Sequence, residues 1–231
     1  MEFDWSFLAS GNTADKLVSG LLTTLQLFGT AWLGGFLAAL VIVGLRAIPL
    51  KPLSWAMRLF VEYHRNVPTV VQIMVWYFGM PEVLPEDLRL WINQGQSEFL
   101  FAAIALSLNV SAYFSEDIRS GLRAIPGTQL EAARAIGLSA SSAMRYVTLP
   151  QALRISVPPL LNRSLILFKD TSLAMVIGVA ELTYQVKAIE NLTFRSFEVF
   201  AIATLTYLLL SLLLMALGAW FGKRFPPAFK G

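Results

Sequence analysis

The chain has 231 residues, 56% of them hydrophobic and only 14% charged, with a formal net charge of +3. A soluble domain averages about 45–50% apolar and about 25% charged, so this composition excludes a disordered chain and weighs against an ordinary soluble enzyme. There is no cysteine and one histidine, His64. That excludes a disulfide framework, a thiolate metal site, a cysteine nucleophile and any site built on two histidines.

A membrane-crossing helix needs about 20 consecutive, mostly apolar residues. Leu17–Leu45 runs 29 residues without a charge, and Val199–Phe221 runs 23. Three further spans are expected between them. The second covers about 57–80 and carries Arg58, Glu62, His64 and Arg65 in its first half. The third covers about 99–118 and meets Glu116 and Asp117 at its end. The fourth covers about 155–180 and contains Arg163, Lys169 and Asp170 beyond Pro158-Pro159. With the fifth at about 199–222, the expected fold class is an all-α membrane protein of five transmembrane helices in one domain.

Lysine and arginine in short loops stay in the cytoplasm. The tail 1–16 and the loops near 81–98 and 181–198 hold four such residues, Lys16, Arg89, Lys187 and Arg195, against ten acidic ones. The opposite side holds twelve, from Arg46 through Arg119, Arg123, Arg134 and Arg145 to Lys230. The N-terminus is therefore expected outside and the C-terminus inside. The start Met1-Glu2-Phe3-Asp4-Trp5 has no basic region, so the first span is expected to stay uncleaved. Trp5, Trp55, Trp76, Trp91 and Trp220 lie near span ends, as interfacial anchors do.

The inner loop 119–154 reads as two short helices. Thr128-Gln129-Leu130-Glu131 has the form of a capping box after the turn residues Pro126-Gly127. The first helix is expected to stop at Gly137, which suits the left-handed position beyond a helix end. Ser139 is a candidate cap for the second, which is expected to end near Leu149-Pro150. Leu130, Ala133 and Gly137 fall on one stripe. The stripe alone fits a partner surface or packing under the bundle equally.

From Glu131 onward the run EAARAIGLSASSAMRYVTLP resembles the EAA loop of ABC importer permeases, through Glu131, Ala132, Ala133, Gly137, Val147, Leu149 and Pro150. The family usually has Ile where Val147 stands. Val61–Pro81 is similar to the second span of polar amino acid uptake permeases through Glu62, Arg65, Pro68, Val71 and Gln72. Asn66-Val67 replaces Gly-Thr, a form that resembles the glutamate/aspartate branch. Ser111–Ala133 and Leu167–Gln185 are similar to the third and fourth spans, with Ser111 and Ser120 in place of glycines.

This resemblance, over about residues 17–222, implies a type I ABC importer permease fold. It also implies a multi-pass protein of the bacterial inner membrane, surrounded by lipid and without a nucleic-acid partner. Two permeases would share one pathway, the second being a homologue rather than a copy of this chain. A dimer of ATP-binding subunits would hold ATP and magnesium below them, and an extracytoplasmic solute-binding protein would deliver a polar amino acid. Glutamate or aspartate is favoured, with glutamine, histidine and arginine as alternatives. Glu131, Ala132, Ala133, Arg134, Gly137, Leu149 and Pro150 would couple to the ATPase.

The chain itself carries no phosphate-binding loop, and so no cofactor of its own is expected. Gly218–Lys223 is one residue short of the pattern, with Arg224 where Ser or Thr is required. Ionisable groups inside a span are functional candidates. Arg163 and Asp170 lie seven residues apart on one helix face and offer a cation and an anion to a zwitterion. Lys169 and Asp170 equally fit a pair with each other or a gate. Thr171, Ser172, Gln72 and Asn109 are candidates to line the pathway; Glu62 and Arg65 are expected near the inner face. Ser111 and Ser115 fit either pathway lining or helix-to-helix bonds. An ion-coupled carrier or an intramembrane enzyme are the competing classes. The first normally shows repeats, which are not seen, and the second needs a Ser–His pair or two in-span aspartates.

Overall fold

The computed structural model describes Trp5 and residues 12–224, which are almost wholly helical and include no strand. Readings that rest on Met1–Asp4 and on Lys230 lie outside the described residues.

Helix α1, Thr13–Ala47, is about 52 Å long at 1.5 Å per residue. Its buried positions, Gly20, Thr24, Leu27, Ala31, Gly35, Ala39 and Ile42, recur every three or four residues. Most are small, so a second helix can approach closely. That helix is α6, Ser97–Arg123, the most buried in the molecule. A Cβ on Gly35 would stand 2.2 Å from Val110 Cγ1 and 3.0 Å from the Ser107 carbonyl. Arg46, in the last turn of α1, pairs with Glu116 of α6. These contacts make α1 and α6 parallel, so the chain between them must return along the bundle.

The return is broken, where the sequence predicts one span over 57–80. Helix α2, Lys51–Asn66, ends at Val67-Pro68. Proline lacks the N–H a helix needs and pushes the preceding residue extended; Val67 has φ −92° and ψ 132°. Helix α3, Thr69–Met74, a π turn over Val75–Gly79 and α4, Met80–Val83, complete the return. Tyr77 there packs on Phe101 near the start of α6. A short helix α5, Glu86–Asn93, precedes α6.

Beyond α6 come α7, Gly127–Ala135, and α8, Ala140–Ala143. A π turn over Met144–Thr148 leads without interruption into α9, Leu149–Asp170. The expected helix end at Leu149-Pro150 is absent: the helical path continues across Pro150, directly after the π turn in which the Leu149 amide bonds the Met144 carbonyl. Helix α9 runs antiparallel to α1 and α6. Ser156 donates to the Asp117 carbonyl at 3.3 Å, the Trp32 indole donates to Ser164 at 2.7 Å, and Phe168 meets Phe28 edge-on. It passes into a 3-10 turn, Thr171–Ile177, so the fourth predicted span is helical only to Asp170 in α form.

Helix α10, Leu182–Thr193, is fixed by the buried Glu181. Its carboxylate accepts from the Thr183 and Tyr184 amides, both at 2.9 Å, and from the Tyr207 hydroxyl at 3.0 Å. The Leu182 amide donates to Thr24 at 3.1 Å. Helix α11, Ser196–Arg224, buries only Val199 and Ala203 and presents Leu205, Leu208, Leu209, Leu212 and Leu213 outward, as a lipid-facing helix does. Among the described residues α1, α6 and α11 are long and apolar enough to cross a membrane.

The α1–α6 seam makes a direct prediction. Overpacking a well-filled contact costs about 1–3 kcal/mol. Gly35→Val should lower the thermal midpoint in detergent, whereas Gly29→Val, with no atom within 4 Å of the new carbon, should not. Equal midpoints for the two variants would contradict the close crossing.

Candidate functional site

Helices α6 and α9 each carry a polar stripe at helical spacing, and the stripes meet. Asn109, Tyr113 and Asp117 follow at intervals of four on α6; Arg163, Ile166, Leu167 and Asp170 occupy one face of α9. Together with Thr69 they border a cavity of about 150 Å³, except for Asp117, which lies one turn beyond Tyr113. Arg163 and Asp170 therefore do share a cavity. The Arg163 guanidinium lies 4.0 Å from the centre of the Tyr113 ring, and its Nε is 3.9 Å from Asp117 Oδ2. Asp170 accepts a hydrogen bond from Thr69 at 3.4 Å. Lys169 is exposed, and Asp170 takes its bond from Thr69 rather than from it.

Other predicted residues take different places. Gln72 does not line the cavity. It is buried and its amide donates to the His64 and Val67 carbonyls at 3.0 and 2.7 Å. Asn109 donates to the same His64 carbonyl at 2.9 Å while bordering the cavity. Both satisfy carbonyls left open where α2 breaks, an end that would otherwise hold unpaired acceptors. Thr171 is buried and donates to the Phe168 carbonyl at 2.6 Å, and Ser172 donates to Lys169 O at 2.7 Å. Ser111 and Ser115 bond carbonyls of their own helix, Leu108 and Ala112, rather than a neighbour. Glu62 is exposed and accepts from Asn66 at 3.0 Å. Arg65 sits 5.6 Å from the Tyr113 ring, and the Tyr113 hydroxyl donates to its carbonyl at 3.1 Å. His64 is buried, with Nδ1 2.9 Å from the Phe60 carbonyl.

Sequence reasoning missed Tyr113, Asp117 and the cluster next to them. Glu116 is held by Arg46, by Arg119 at 3.1 Å and by Arg123 at 3.8 Å. The signal was present: two carboxylates close an apolar run whose neighbouring span ends on Arg46.

The loop 119–154 differs from its predicted form in two respects. Helix α7 starts at Gly127 with Pro126 before it and no side-chain cap, so the Thr128–Glu131 capping box does not form. The φ of Pro126, −60°, and its extended ψ start the helix before Thr128 can cap it. Ala133 faces inward at 4% exposure; it is not on the free stripe. Gly137 closes α7 as expected, with φ +89°. Its amide bonds the Arg134 carbonyl at 3.0 Å and the Leu138 amide the Ala133 carbonyl at 3.1 Å, the paired bonds of a left-handed helix end. Ser139 caps α8 through the Ser142 amide at 3.2 Å. The exposed apolar side chains of the loop are Ile136 at 80%, Tyr146 at 66%, and Leu130, Met144, Leu149 and Leu153. Glu131, Ala132, Arg134, Arg145 and Pro150 are exposed around them, and the Arg145 guanidinium lies 5.6 Å from the Tyr146 ring centre.

The sequence of the family described as "Binding-protein-dependent transport system inner membrane component" matches residues 31–226. The chain belongs to this family. The permease is 34% identical to the glutamate/aspartate import permease protein GltJ of Escherichia coli O6:H1, over 93% of this chain and 92% of that one. It is 30% identical to GltK of the same strain, which carries the same solute name, over 96% and 98%. It is 36% identical to the glutamine transport system permease protein GlnP of E. coli K12, over 93% and 94%. A crystal structure of an amino acid ABC transporter with histidines superposes with a TM-score of 0.85 at 31% identity, covering 97% of this permease and all of that chain. The fold is that of a type I ABC importer permease, and the protein is an integral membrane transport subunit for a polar amino acid, not an enzyme.

Proposed function

We propose that this permease imports an acidic amino acid, glutamate or aspartate, through the α6–α9 cavity. One observation carries the reading: a guanidinium and a carboxylate, Arg163 and Asp170, border the same cavity. They stand about 10 Å apart along the helix. That supplies a cation for the side-chain carboxylate of an acidic solute and, about 10 Å away, an anion for its ammonium. The tyrosine face against Arg163 orients the guanidinium without neutralising it. Glutamine is the second reading, favoured by the 36% identity to a glutamine permease.

The partners follow from the same reading. A dimer of ATP-binding subunits docks on the exposed loop, an extracytoplasmic protein delivers the solute, and a homologous permease completes the pathway. The presence of both GltJ and GltK in one strain supports a second, different permease. The N-terminus lies outside and the C-terminus inside. Ile136 and Tyr146 anchor the ATPase interface, as large apolar residues at the centre of interfaces do, with Glu131, Arg134 and Arg145 around them. Gly137 shapes the turn, and Ala133 packs behind it. From Ala140 to Asp170 the chain is helical without interruption. Movement of the loop is therefore carried directly to Arg163 and Asp170.

Two measurements test this. Proteoliposomes holding this permease, its homologue, the ATPase and the binding protein should take up labelled glutamate only with ATP, with competition by aspartate and not by glutamine or arginine. ATP-dependent uptake of glutamine alone would replace the solute, and uptake without ATP would refute the importer. Ile136→Asp with Tyr146→Asp should abolish co-purification with the ATPase while leaving the permease in the membrane; retained binding would remove the loop from the interface.

A further inference from the structure

The ion pair at the edge of the cavity is incomplete. Arg163 and Asp117 are 3.9 Å apart, and Asp117 Oδ2 is buried without a hydrogen-bond partner. A relaxed arginine–carboxylate pair is closer and commonly bidentate. Here the guanidinium lies on the Tyr113 ring and remains partly open to the cavity. Arg65 lies 5.6 Å from the centre of the same ring, so two cations adjoin one aromatic side chain, and Asp117 is next to Arg163. Glu116, the neighbouring carboxylate, is already engaged by Arg46, Arg119 and Arg123. Asp117 is thus the carboxylate next to Arg163, loosely held and replaceable.

We propose that Asp117 is the resident counter-ion of Arg163, displaced when a solute carboxylate enters and restored when it leaves. The inference rests on the reading of the α6–α9 cavity as the solute site. A charge left alone in a low-dielectric site is costly; Asp117 keeps Arg163 compensated in the empty permease. Tyr113 holds the guanidinium during the exchange, because its ring attracts the cation in both pairings. The exchange makes Asp117 a competitor of the solute. It lowers affinity for an anionic side chain and eases release, with less effect on a neutral amide. Asp117 is a positioning and specificity-setting residue, and no bond is made or broken.

The test is equilibrium binding of labelled L-glutamate and L-glutamine to the purified permease–ATPase complex without the binding protein. Displacing Asp117 costs the net worth of its contact with Arg163, and a contact of that kind changes an equilibrium constant by about fivefold. Asp117→Asn should therefore tighten glutamate binding by about fivefold, with a smaller change for glutamine. Asp117→Glu should stay near wild type, which separates loss of charge from damage to the fold. Adding Arg163→Ala to Asp117→Asn should remove the gain. Glutamate binding that depends on Arg163 but is unchanged or weakened in Asp117→Asn would overturn the counter-ion role. Glutamate binding that is absent, or indifferent to Arg163→Ala in the wild-type background, would instead overturn the solute-site reading beneath it.

Discussion

A buried charge must be compensated, and that constraint organises one end of the helix bundle. Arg46, in the last turn of α1 with a side chain 8% exposed, is paired with Glu116, and Glu116 is shared with Arg119 and Arg123. The cluster ties the end of α1 to the end of α6. The adjacent Asp117 and Arg163 connect α6 to α9. Removing one partner of a buried pair costs about 3–5 kcal/mol, so the Arg46–Glu116 pairing fixes where α1 and α6 meet. The small-residue seam of α1 then sets how closely they pack.

The two halves of the proposed mechanism are mechanically continuous. The exposed turn around Ile136 and Gly137 adjoins the Ser139 cap. From Ala140 the helical path runs through a π turn into α9. Leu149 and Arg163 are fourteen residues apart, about 21 Å along a helix. A continuous helical path of that kind links a docking surface to a cavity, with Pro158-Pro159 inside it as the place where helix hydrogen bonds are missing and the path can bend. The path is bordered by Gly121, whose missing side chain leaves room for Ser156 and the Ala152 carbonyl.

Much of this was legible in the sequence, for identifiable reasons. Spans α1 and α11 follow from unbroken apolar length, which is the property lipid selects. Arg163 and Asp170 follow from helical spacing. The end of α7 at Gly137 follows from the conformational freedom of glycine. The second span was misread because its hydropathy runs across Pro68, while backbone geometry does not. Gln72 was assigned to the pathway on polarity alone, whereas the broken end of α2 needed a donor for the His64 carbonyl. The loop stripe failed at Ala133 because periodicity shows which residues share a face, not which face is free. Tyr113, and the pairing of Asp117 with Arg163, were not foreseen because they appear only when α6 and α9 are brought together.

The central claim is that the faces of α6 and α9 around Arg163 and Asp170 line the solute's path. The absence of native cysteine makes this directly measurable in the assembled importer. Ile166→Cys, on the cavity wall, and Leu192→Cys, exposed on α10, would each carry the only thiol of the chain. Saturating glutamate should slow labelling of Ile166→Cys by a membrane-impermeant maleimide several-fold and leave Leu192→Cys unchanged. Equal labelling of Ile166→Cys with and without every amino acid the transporter imports would contradict the account.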